Sequence, residues 1–177
     1  MTRAKLKKAD LGLTAQDAQR IRKLEKTLDY EFRDTALLVT ALTHRSYIAE
    51  RKKLNVTDNQ RLEWLGDSVL GLVVTEFLYE RLPESDEGVL SKLKSQLVSK
   101  TALARMAKAI KLSEYIFLGK GEDETGGRDR ESILSDALES LIGAMYLDNG
   151  FPAAKSFILR FHESEMTRVM TSKQMKD

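Results

Sequence analysis

The chain has no cysteine among its 177 residues, which excludes a disulfide framework and any metal site built on thiolates. A reducing compartment fits, and a cytoplasmic location is expected. Prolines number two, Pro83 and Pro152, so long segments run without a helix breaker. The two histidines, His44 and His162, follow Ala41 and Leu159 where a di-iron bundle would place glutamate, and that class falls away. No apolar run approaches the ~20 residues of a membrane helix. The basic amino end is not followed by the apolar core of a secretory signal. Neither sign of charge dominates: 29 Lys and Arg against 27 Asp and Glu give a net charge of +2. That balance is too mild to establish a polyanionic partner. Two basic knots stand out, Arg3, Lys5, Lys7 and Lys8 at the amino end and Arg51, Lys52 and Lys53 further on. A charged knot is most often a solvated face.

What is present is helical periodicity, with 42% hydrophobic residues, enough for one globular core. Thr14 opens a helix with Ile21, Leu24 and Leu28 on its core stripe. Asp34 can cap the next, which carries Leu37, Leu38, Ala41 and Leu42 into THRSY. Tyr47 to Thr57 reads as a polar, basic loop. NQRLEWLGDSVLG starts a helix that runs to about Arg81, where Leu82-Pro83 ends it. From Gly88 the apolar spacing gives one long helix or two short ones. GKGEDETGGRDR, Gly119 to Arg130, holds four glycines and no apolar residue and reads as a loop. A strong helix starts near Ser132 and reaches about Leu147, and Pro152 opens a terminal one. The expected fold class is all-α.

The chemistry lies in two pairs of acids. At about 100° per residue, Glu63 and Asp67 share their sector with Leu70, Val74 and Leu78, on a face expected to be largely buried. Residues four apart are neighbours. Like charges in apolar surroundings raise one another's pKa and cost stability unless something neutralises them. The pattern recurs in SILSDALESLIGAMYLD, where Asp136 and Glu139 share a face. Gly143 falls in the sector between them, leaving room for a ligand or a close neighbouring backbone. If the two helices pack together, four carboxylates line one pocket of oxygen. Such a pocket suits a hard divalent cation, which takes phosphate oxygens as further ligands and can cleave phosphodiesters. Salt bridges and helix caps are the structural alternative for each acid taken singly. Trp64 points near a polar strip of Arg61, Ser68 and Thr75, where a lone indole suits an interface, though a core role is the alternative.

NQRLEWLGDSVL resembles the signature segment of ribonuclease III, usually NERLEFLGDSVL. LDYEFRDTALLVTALTHRSY, DEGVLSKLKSQLVSK, LGKGE with GGRDRESILSD, and DALESLIGAMYLDNG are similar to that family's blocks, in its order. The likeness covers roughly Leu24 to Phe161. It implies a homodimeric, all-helical endonuclease for double-stranded RNA, leaving 5′-phosphate and 3′-hydroxyl ends and a short 3′ overhang. It places the metal ligands at Glu63, Asp67, Asp136 and Glu139, with Asp67 and Glu139 also catalytic and Glu139 the acid most critical for the chemical step. Mg²⁺ is the implied metal, with Mn²⁺ able to substitute. The domain plan expected is a basic extension over 1–20, the catalytic domain over 21–168, and a tail over 169–177 that starts a linker.

Trp64 matches a Phe that the family uses as a knob entering a pocket on the other subunit, and Gln60 is assigned to the same dimer interface. Lys94, Lys120, Arg128 and Arg130 are the expected RNA contacts, because A-form duplexes are read through their backbone. Lys92 is a further cation suited to phosphates. His44 is expected to be a structural hydrogen-bonding residue. Two departures matter. Gln60 stands where the family usually has glutamate, and Thr57 with Gln60 fits a capping box. The chain ends at KQMKD, without the RNA-binding domain that bacterial members usually add, so weak, salt-sensitive RNA binding is expected. The rivals are a duplex-RNA scaffold without catalysis and a metal-binding bundle acting on a small phosphorylated molecule.

Overall fold

Thr14 accepts the amide of Asp17 on its side chain while Asp17 reaches back to the Thr14 amide, a complete capping box for α1 (Ala15–Leu28). The computed structural model describes residues 11–50 and 55–174; both basic knots thus lie outside the described residues. Asp34 caps α2 (Thr35–Ala41) through the Ala36 amide. Next come α3 (Arg45–Glu50), α4 (Gln60–Arg81), α5 (Glu87–Leu97), α6 (Lys100–Ala109), α7 (Lys120–Glu124) and α8 (Glu131–Gln174). No strand longer than a single bridge, Thr43 with Phe117, occurs among the described residues. The all-α fold is as expected.

Several local expectations change. Residues 47–50 of the expected loop belong instead to α3, which buries Tyr47. Part of the glycine-rich segment folds as α7, because the Glu50 carboxylate accepts the amides of Lys120 (2.6 Å) and Gly121 (3.2 Å) at its start. The N-cap of α4 is Asn59, and the Gln60 amide donates to Asp58 at 3.2 Å, so the capping box from Thr57 to Gln60 does not form. The segment after Gly88 is two helices, because Ser99 interrupts the run and caps α6 through the Ala102 amide. α8 breaks at Asn149 and Gly150, where Gly150 takes φ +81°, a value that favours glycine. Its two arms run over 131–148 and 151–174. The expected domain bounds at 21 and 168 fall inside α1 and α8, and Leu11 and Val169 join the core.

α4 and the first arm of α8 cross at the centre. Leu62, Val69, Leu70 and Val73 of α4 are buried against Leu134, Leu138, Leu141 and Ile142. The crossing is close because neither helix has a side chain where they touch. A Cβ built on Gly66 would stand 1.7 Å from the Glu139 carbonyl oxygen, and one on Gly143 would stand 2.4 Å from that of Leu62. The room at Gly143 is therefore taken by backbone. Asn59 locks the same region: its amide donates to Thr43 O (2.9 Å), its side chain to Ala41 O (3.4 Å), and Ser140 Oγ donates to its carbonyl (3.1 Å).

Replacing Gly66 with alanine separates two effects of opposite sign. Helix propensity alone would raise stability by about 1 kcal/mol, whereas overpacking costs about 1–3 kcal/mol or more. The Gly66→Ala variant should unfold at lower urea concentration than wild type with an unchanged slope. A higher midpoint would show that the helices do not touch there.

Candidate active site

The crossing decides where the acids go. Measured round α4 from Gly66 at about 100° per residue, Glu63 lies about 60° from the contact line and Asp67 about 100° on the same side. Glu63 is accordingly half-buried and Asp67 is exposed. The expectation that both sit on a largely buried face is corrected for Asp67, which stands on the solvent flank of the groove. On α8, Asp136 and Glu139 are half-buried, two turns and one turn before Gly143 respectively. Carboxylate oxygens of Glu63, Asp136 and Glu139 lie within 4.8 Å of one another. Asp67 is outside that triad, yet its charge is the strongest neighbouring charge on Glu139.

The electrostatics follow from burial without countercharge. Desolvation, then Asp67, Asp136 and Glu63, push the Glu139 carboxyl up to about 8, with Lys100 opposing. Glu63 is raised too, by desolvation first and then by Asp136, again with Lys100 opposing. None of the four acids forms an ion pair with arginine or lysine among the described residues; the nine pairs there lie elsewhere. Asp136 accepts one bond, from Ser135 Oγ at 3.3 Å. An all-oxygen, anionic, unpaired set fits a hard divalent cation such as Mg²⁺ and does not fit a soft one.

The surrounding residues divide into holders and candidates for contact. His44 Nδ1 lies 2.8 Å from Ser46 Oγ, and Ser46 Oγ accepts the Gly119 amide at 2.9 Å. Burial lowers the His44 pKa, with Glu122 and Asp136 opposing. Arg128 Nη1 donates to the carbonyls of Ser113 (2.7 Å) and Ile116 (2.9 Å), and its Nε pairs with Asp123 at 2.8 Å. Arg130 bonds Glu122 and Thr125. Lys120 is exposed beside Glu124 (3.6 Å), and Lys94 is half-buried against α4. A cleft of about 670 Å³ bordered by Arg20, Glu50, Lys120 and Asp123 contains none of the four acids. Trp64 is 76% exposed, and Leu72 (57%) and Tyr79 (73%) extend its stripe along α4. Sequence reading missed Leu72 and Tyr79. Their signal was spacing, since 64, 72 and 79 fall within about 80° of one another on a helix. It also missed Lys100, which no acid-to-acid pattern marks.

A ribonuclease-III-like family model matches residues 34–165, the span that holds every group of this cluster. The chain belongs to the ribonuclease III family. It is 49% identical to ribonuclease 3 of Methylococcus capsulatus over 154 residues, covering 87% of this chain and 64% of that protein. Identity to ribonuclease 3 of Oleidesulfovibrio alaskensis is 46%, covering 88% of this chain and 67% of that one. The chain thus spans about two thirds of these relatives. The nuclease domain of the Campylobacter jejuni ribonuclease III, described as having structural flexibility in a region involved in dimer formation, superposes with a TM-score of 0.75 at 45% identity. That match covers 81% of this chain and 96% of that one. Giardia Dicer shares the fold, with a TM-score of 0.62 at 21% identity over 86% of this chain and 20% of Dicer.

The Glu139 shift sets a pH test on metal-free protein. Its folded pKa, about 8, lies above the ordinary 4.5. The folded state therefore holds the proton more tightly, and this stabilisation is complete below about pH 4.5 and lost as pH rises through about 8. Glutamine stays neutral throughout. Glu139→Gln should therefore gain about 1 kcal/mol over wild type between about pH 5 and about pH 8.5, with solvent screening allowed for. Thermal unfolding in chelator at the two pH values measures it. An equal difference at both would refute the assignment.

Proposed function

We propose that the chain is the catalytic part of a Mg²⁺-dependent endoribonuclease that cuts double-stranded RNA as a homodimer in the cytoplasm. The observation that carries this reading is the meeting of Glu63, Asp136 and Glu139 within 4.8 Å, with no guanidinium or ammonium paired to them. When bound, Mg²⁺ would supply Lewis acidity and a water activated for attack on phosphorus, and Mn²⁺ can substitute. Glu63, Asp67, Asp136 and Glu139 would hold it. Their side chains come from two helices locked at a glycine crossing, so the oxygens need little reorganisation. Glu139, whose carboxyl burial and the neighbouring acids raise furthest in the metal-free protein, is the group that gains most from a cation supplying the missing countercharge. The reading includes attack that leaves a 5′-phosphate and a 3′-hydroxyl, with two sites in a dimer giving a short 3′ overhang. No helix among the described residues is long and apolar enough to cross a membrane.

Trp64, Leu72 and Tyr79 form the apolar stripe of the proposed dimer face, with Gln60 at its edge. Lys94 and Lys120 are the proposed phosphate contacts, while Arg128 and Arg130 add charge from positions already fixed by carbonyls and acids.

Long duplex RNA incubated with Mg²⁺ should yield short products, and chelator should abolish them. Glu139→Gln should lower the rate at least about a hundredfold while duplex binding in chelator persists. Binding without metal-dependent cutting would favour a scaffold instead. Trp64→Ala should weaken self-association by about thirtyfold or more, read by sedimentation at several concentrations. A variant as dimeric as wild type would remove Trp64 from the interface. Activity should also survive with Gln60 in place; its complete absence, restored by Gln60→Glu, would reverse that expectation.

A further inference from the structure

The acid cluster has lysines at two of its edges, and α5 and α6 are built to deliver them. In α5, Leu93 and Leu97 are buried and Lys94 follows the first of them, so its stem runs along α4. The place where it lands has no side chain. Glu63, Asp67 and Gly71 occupy successive turns of one column on α4. A methyl group built on Gly71 would stand 3.7 Å from the Lys94 Nζ and 3.8 Å from its Cε. The Lys94 amine therefore lies over bare helix backbone one turn beyond Asp67.

The second lysine comes from the break between the two helices. Ser99 ends the α5 run and caps α6, making Lys100 the first residue of that helix. Thr101 Oγ1 donates to Glu131 at 2.9 Å, which ties the start of α6 to the start of α8, five residues before Asp136. Lys100 is exposed there, and its charge acts on both Glu63 and Glu139. The lysines paired with acids among the described residues are Lys23, Lys120 and Lys155. Lys94 and Lys100 thus keep their donors out of any ion pair among the described residues, Lys94 one turn beyond Asp67 and Lys100 within electrostatic reach of Glu63 and Glu139.

A phosphodiester approaching these acids is repelled by them, and a cation at the cluster compensates only at the phosphate being cut. We propose that Lys94 and Lys100 bind the phosphates adjacent to the scissile one on the cut strand, Lys94 at the Asp67 end of the cluster and Lys100 at the Glu63 and Glu139 end. The inference rests on the nuclease reading and specifies how that site holds its substrate. Gly71 serves it by leaving a track for the Lys94 stem.

The experiment measures kcat and KM on long duplex RNA with Mg²⁺ across a range of KCl, for wild type, Lys94→Ala, Lys100→Ala and the two Lys→Arg variants. Each alanine should raise KM by about tenfold and make the salt dependence of kcat/KM shallower by about one in log–log slope. Arginine should restore the slope. Gly71→Leu should reproduce the Lys94→Ala behaviour by displacing the amine, whereas Gly71→Ala, an ordinary contact at 3.7 Å, should not. Mn²⁺ binding to the protein alone should be equal or tighter in Lys100→Ala, since a competing cation has been removed. Unchanged KM and slope in both alanine variants, with wild type active, would overturn this inference and leave the nuclease reading standing. A wild type that never cuts duplex RNA would overturn the nuclease reading. The same slopes read from duplex binding in chelator then decide whether the lysine contacts exist, and slopes equal to wild type there would overturn them too.

Discussion

The site depends on a backbone contact between two helices. Gly66 and Gly143 allow α4 and α8 to approach until the carbonyl of one meets the Cα of the other, a distance that any side chain would open. Glu63 precedes Gly66 by three residues, while Glu139 precedes Gly143 by four, so both carboxylates leave the crossing close to its narrowest point. Were the helices held apart by ordinary side chains, at the 8–10 Å common for packed helices, the same acids would diverge. Asn59 adds a polar lock, tying the turn after α2, the start of α4 and the middle of α8 through its backbone and amide. Three elements are thereby fixed where the acids emerge.

That closeness costs stability, and α8 itself provides the comparison. Its second arm carries Glu165, placed between Arg168 and Arg105 and held down to about 2. Its first arm carries Glu139, desolvated among other acids and pushed up to about 8. Both carboxylates lie on one helix and their shifts have opposite sign, because one has guanidinium partners and the other has none. Buried charge without a partner is a local conflict that a protein built for stability alone would remove. Here it is maintained by the apolar packing around it, Leu62 and Leu70 against Leu138 and Ile142. A divalent cation removes the conflict, so metal binding and folding stability should be linked.

The sequence made the acids legible because their spacing is a property of the helix alone. A spacing of four from Glu63 to Asp67 and of three from Asp136 to Glu139 puts each pair together whatever surrounds it. Gly143 was legible as a gap for the same reason, though not as the contact that fills it. Less was visible wherever a distant group decides the outcome. α7 forms in a glycine-rich segment because Glu50, seventy residues earlier, accepts its first amides. Arg128 looks like a free cation in sequence, but it is occupied by the carbonyls of Ser113 and Ile116. The N-cap of α4 fell to Asn59 because Thr43, Ala41 and Ser140 all bond it, a set that no local pattern from Thr57 to Gln60 contains. Periodicity assigns faces; which part of a face reaches water, as at Asp67, depends on where the neighbouring helix diverges.

His44 shows how the rim preserves the charge at the centre. Glu122, Asp136 and Asp58 all favour its protonated form, yet burial outweighs them and its pKa is lowered. The ring is engaged with Ser46, which in turn receives the Gly119 amide, so it serves to seat the segment that leads into α7. Burial thus disfavours a positive charge on the ring beside Asp136. Arg128 and Arg130, the nearest arginines along the chain, are turned toward carbonyls, Asp123 and Glu122. What remains near the four acids is the ammonium of Lys100, acting on Glu63 and Glu139, and that of Lys94 one turn beyond Asp67, neither in an ion pair among the described residues. Two lysines at its edges screen the cluster without neutralising it, which leaves the demand for countercharge to be met by a cation that coordinates several oxygens at once.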